Sequence, residues 1–229
     1  MTPDEIAHEV SKAIAEEPNA TLQCLPYSWV LLNALQELGY DAQPLVTRAV
    51  VFGAVSDMNW NDLLETVSPV TLMDGAVDSE HANGYLQFST AGGDPLRLPY
   101  RTLGYPHGDG GMGTYHEGGS WNGHLSILYD RMIYDLTLGQ INNDELLINF
   151  DPPYTTMESD EAFESGRQPL VGIMDGMLTI YRCFPDDLTF EISNSWNRTS
   201  SFRPTLDRLL QRSVERLRNA GLESANNAG

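Results

Sequence analysis

Residues 123–140 read GHLSILYDRMIYDLTLGQ. Two apolar runs, Leu125 to Tyr129 and Met132 to Leu138, flank Asp130-Arg131, which is the pattern of an antiparallel hairpin. If those two residues are the whole turn, His124 faces Thr137 and Asp135 faces Ser126. The His and Asp side chains then leave the same face on a diagonal, close enough to touch. A three-residue loop would reverse that parity, because side chains alternate faces along a strand. The stretch therefore predicts an antiparallel sheet and, with a tight turn, a His–Asp pair on it.

Strand signals recur outward from the hairpin. Downstream, Val171 to Met174 and Met177 to Arg182 flank Asp175-Gly176, a two-residue turn signal. Upstream, Leu45 to Val55 and Leu96 to Leu103 read as strands. The stretch 106–123 carries Gly108, Gly110, Gly111, Gly113, Gly118, Gly119 and Gly123, and reads as a loop. Residues 142–168 are acidic and contain prolines, which reads as loop or short helix. A short helix fits 59–66.

Longer helices frame these strands. Residues 3–17 make an amphipathic helix, capped by Thr2 with Pro3 in its first turn. A second runs from about Pro26 to Leu38 and stops at Gly39. Its apolar residues, among them Trp29, Leu31, Leu32 and Leu35, cover most of its circumference, so it is buried on several sides. The last spans about Pro204 to Ala220, leaving 221–229 as a flexible tail. No repeat or linker interrupts the chain. The predicted class is α+β: an antiparallel sheet packed against a central N-terminal helix, with flanking helices, in one domain over 1–220.

Composition narrows the function. Apolar residues make up 41% and charged residues 20% of 229, too apolar for a disordered chain. Thirteen basic against thirty-two acidic residues give −19, a charge that opposes a phosphate backbone and excludes direct nucleic-acid binding. No apolar run approaches the ~20 residues a bilayer requires, so no membrane association is expected. The start, MTPDEI, has acids where a secretory leader has positive charge, which points to the cytoplasm. Two cysteines, Cys24 and Cys183, are too few for a disulfide framework or a structural zinc site of their own.

Cys24 lies immediately before the central helix, with Leu25-Pro26 opening it. There, unpaired backbone N–H groups and the positive end of the dipole favour a thiolate. The other use of such a cysteine is as a small buried hydrophobe. A thiolate beside His124, itself oriented by Asp135, has the nucleophile, base and orienter of a catalytic triad. A metal reading built on His107, His116 and His124 with Asp109 or Glu117 fits no ligand spacing, and glycines between them would not hold a geometry.

The order of QCLPYSWVLLNALQELGYDA (23–42), LVTRAVV (45–51) and GHLSILYDRMIYDLTLGQ resembles the transglutaminase-like and papain-like superfamily of cysteine enzymes, which includes the arylamine N-acetyltransferases. The resemblance covers mainly residues 20–55 and 121–140. It implies Cys24 as nucleophile, His124 as general base and Asp135 as orienter, on adjacent antiparallel strands. Leu25 stands where transglutaminases place a Trp, and the subfamily stays open. Oxyanion and substrate contacts would come from the Cys24 N–H with Gln23, Trp121 or Asn122. The expected activity is acyl transfer or hydrolysis on an amide, ester or thioester, a protein side chain or peptide included, without cofactor or metal. The competing expectation is a non-catalytic acidic protein that keeps the fold and binds a basic partner.

Overall fold

A computed structural model describes residues 2–16, 24–55, 58–77, 83–89, 95–104, 114–115, 121–150, 155–158, 169–174, 176–184 and 203–227. Helix α1 spans Pro3–Ala15. Thr2 accepts from the Glu5 N–H while the Glu5 carboxylate accepts from the Thr2 N–H, a reciprocal cap that satisfies two orphan donors. Helix α2, Cys24–Glu37, is buried from Leu25 to Leu32 without interruption, as its apolar circumference predicts. It ends at Gly39, whose φ of +89° suits glycine, with the Tyr40 N–H returning to the Leu35 carbonyl. Cys24 is the first residue of α2 rather than the residue before it. Pro26 fits the opening turn because N–H groups there have no helical acceptor.

Strand β1, Gln43–Phe52, is the axis of an eight-stranded sheet. Helices α3, Trp60–Thr66, and α4, Pro69–Val77, follow it, and then come β2, Asn83–Ser89, and β3, Pro95–Leu103. Short strands β4, Thr114–Tyr115, and β5, Trp121–Asn122, pair antiparallel. This corrects the reading of 106–123 as loop throughout, since a two-residue ladder needs little sequence signal; 106–113 and 116–120 lie outside the described residues. The predicted hairpin is present as β6, His124–Tyr129, and β7, Met132–Asp135. Strand β8, Thr155–Glu158, then pairs with β7 inside the segment read as loop or short helix. Strands β9, Leu170–Met174, and β10, Met177–Cys183, form the second predicted hairpin. Helix α5 runs Arg203–Asn227, past the boundary expected at Ala220, so 221–227 are helical rather than a loose tail. The class is α+β with an antiparallel sheet.

Registers fix the sheet's layout. Strand β6 pairs with Gln43 to Thr47 of β1, while β3 pairs with Ala49 to Phe52. Strand β10 pairs with Thr47 to Phe52. Thr47 thus has His124 on one side and Cys183 on the other, and β3 and β6 lie end to end along one edge. At their seam Gly104 has φ +73°. A Cβ there would stand 2.8 Å from the Thr47 carbonyl oxygen and 2.9 Å from the His124 nitrogen, so a side chain has no room.

Three apolar clusters hold this frame. Helices α1, α2 and α5 pack around Val30, Leu31, Leu35 and Leu209 against Ile127 and Tyr134. Leu45, Ala49, Ile133 and Tyr181 belong to a second cluster and Phe52, Trp60, Leu72 and Met73 to a third.

Candidate active site

The turn between β6 and β7 has two residues, Asp130 at φ +44° and Arg131 at φ +66°, the two left-handed residues a tight hairpin requires. Tyr129 pairs with Met132, Leu128 with Ile133 and Ile127 with Tyr134. Continued by parity, that register sends His124 and Asp135 to one face. The side chains meet there: His124 Nε2–H donates to Asp135 Oδ2 at 2.6 Å, with both residues buried.

Asp135 receives three further donors. The Tyr181 hydroxyl donates to the same Oδ2 at 2.8 Å. The Thr137 N–H and Oγ1–H both donate to Oδ1, at 3.0 and 3.3 Å. A buried carboxylate is tolerated only when its lone pairs are filled in this way. Burial by itself favours the neutral acid, yet the His124 charge and the bonds from His124, Tyr181 and Thr137 hold the Asp135 carboxyl below its usual range.

His124 experiences the opposite balance. Burial pulls the imidazole down, but the Asp135 charge and hydrogen bond, followed by a hydrogen bond and charge interaction with the Cys24 side chain, push it up to about 10. At neutral pH the ring is an imidazolium. With Nε2 committed to Asp135, Nδ1 is the nitrogen left for the thiol. Cys24 is half-buried, whereas Cys183 is buried and its thiol is pushed up to about 12 by that burial. The two thiols therefore sit in different chemical settings, and only Cys24 has the His124 ring beside it and a helix N-terminus beneath it.

One hydroxyl ties the two halves of the site. Ser28 Oγ, one turn after Cys24, donates to the Leu125 carbonyl at 2.8 Å, next to His124. The bond registers the start of α2 against the start of β6. Ser28→Ala should cost about 1 kcal/mol of stability, measured by urea unfolding, and should slow alkylation of Cys24 while leaving that of Cys183 unchanged.

The structure thus brings together Cys24, His124 and Asp135. Gln23 lies outside the described residues, and Trp121 and Asn122 are described only as backbone of β5. Of the metal reading, His107, His116, Asp109 and Glu117 also lie outside them; among the described residues no cluster of three or more His, Cys, Asp or Glu is placed to hold a metal ion. Nor is any helix among them long and apolar enough to cross a membrane. Sequence reasoning missed Ser28 and Tyr181. A small hydroxyl among the apolar residues of α2 is a usable signal for Ser28, whereas nothing local marks Tyr181. No protein-family model matches this chain, and neither a curated protein nor a solved structure matches it.

Proposed function

We propose that this chain is a thiol acyl-transfer enzyme of the transglutaminase-like and papain-like kind, acting on an amide, ester or thioester. The observation that carries the reading is His124, which bonds Asp135 through one nitrogen and reaches the Cys24 thiol. The Cys24 sulfur attacks the carbonyl carbon, and charge develops on the oxygen. The Cys24 N–H at the start of α2 is a donor for that oxygen, with Gln23, Trp121 and Asn122 as side-chain candidates. The His124 imidazolium gives its proton to the leaving amine, alcohol or thiol as the carbon–heteroatom bond breaks, and a thioester remains on Cys24. The neutral imidazole then takes a proton from water or an acceptor amine as that nucleophile attacks. The thiolate departs, and the imidazolium is restored.

A net charge of −19 favours amide hydrolysis over transfer from a polyphosphate carrier such as coenzyme A. A nucleophilic thiol also fits the reducing cytoplasm. The test is selective alkylation. Iodoacetamide near neutral pH should modify Cys24 roughly tenfold or more faster than Cys183, and His124→Ala should remove most of that difference. Equal, slow labelling of both thiols would sink the enzyme reading and favour the non-catalytic acidic protein binding a basic partner.

A further inference from the structure

We infer that Tyr181 is a positioning residue of this site, whose hydroxyl shares Asp135 Oδ2 with the His124 imidazolium and so limits how tightly the carboxylate holds the imidazole proton. The inference rests on the acyl-transfer reading for its purpose, but its geometry stands independently. Two donors converge on one oxygen, His124 Nε2–H at 2.6 Å and Tyr181 O–H at 2.8 Å. A carboxylate oxygen that already accepts a phenol proton has less negative charge to offer the ring.

Thr137 fixes the other oxygen with two bonds, so the carboxylate cannot rotate away from the competition. Tyr181 comes from β10, on the far side of β1 from β6, and is buried. Its phenol stays protonated because burial, and then the Asp135 charge, push its ionisation well above the usual range. Among the described residues, the titratable groups that act on this arrangement are His124, Asp135, Cys24 and Cys183.

The consequence is a ring oriented through Nε2–H, yet not so basic that it fails to release the proton on Nδ1 to a leaving group. A purely packing tyrosine would have no such effect. Tyr181→Phe keeps the ring and removes only the donor. Proton NMR should show the His124 Nε2–H resonance, assigned by its loss in His124→Ala, moving further downfield in Tyr181→Phe as the His–Asp bond tightens. The imidazole titration midpoint should rise by roughly half a unit or more.

Incorporating 3-fluorotyrosine makes the phenol a stronger donor and should move the resonance the opposite way, a readout that does not depend on the Phe variant folding. An unmoved resonance in both proteins would overturn the inference. So would loss of the resonance in Tyr181→Phe with the fluorotyrosine protein unchanged, since that pattern is structural support alone. Alkylation of Cys24 in the unaltered chain separates the two claims: slow labelling there defeats the acyl-transfer reading, while the resonance still decides what Tyr181 does to the His124–Asp135 pair.

Discussion

Asp135→Ala should lower the unfolding free energy by about 3–5 kcal/mol, the cost of removing one partner from a buried ion pair. Four donors converge on this carboxylate, from His124, Tyr181 and Thr137. Alanine leaves them all in a cavity without an acceptor. The charge effect adds to this. Without Asp135, burial is the strongest influence on His124 and drives the ring neutral, so Cys24 loses its cationic neighbour. Alkylation of Cys24 should then fall toward the rate of Cys183. Asp135→Asn retains one acceptor oxygen but no charge. It should recover part of the stability while leaving the thiol slow, which separates the hydrogen-bonding role from the electrostatic one. Urea unfolding and thiol labelling measure the two effects. Wild-type stability in Asp135→Ala would show that the carboxylate is not the keystone the geometry makes it.

The second large effect is a loss of stability in alkali. His124 has an ordinary value of 6.5 and is pushed up to about 10 in the folded chain, so between those limits the folded state holds a proton that the unfolded state releases. Its contribution to stability is complete below 6.5 and is lost as pH rises through about 10. The unfolding free energy should fall across that window at up to about 1.4 kcal/mol per pH unit. His124→Gln should flatten the slope below pH 9; above it the Cys183 thiol, ordinarily at 9.0 and pushed up to about 12, adds a fall of the same sign. In Cys24→Ser, which has no thiol proton to exchange for the imidazole's, stability that is level or rising between pH 7 and 9 would contradict a charged His124.

Local signals in the sequence captured some of this and missed the rest for identifiable reasons. The β6–β7 hairpin was legible because alternation and a two-residue turn are written within a few positions, and parity then placed His124 with Asp135. Helix α2 was legible from its apolar circumference and Gly39. Helix α5 is expected to end at Ala220, one residue before Gly221. A glycine inside a helix costs only about 1 kcal/mol, and the chain continues through it to Asn227. Strand β8 was missed because it forms against β7, a partner its own composition does not announce. Tyr181 was missed for the same reason. Its position beside Asp135 follows from β10 aligning on β1 with Cys183 opposite Thr47, a long-range register that no local period encodes.

That shared residue has a dynamic consequence. Thr47 faces His124 along one edge and Cys183 along the other, and each of these rungs is the last of its ladder. Fraying at the start of β6 therefore reaches the imidazole before it reaches the middle of the sheet, and the bonds to Asp135 and Thr47 are what oppose it. The pair of charges can thus loosen while the rest of the domain stays folded, and a substitution that weakens this end rung would thin the population of competent molecules without unfolding the chain.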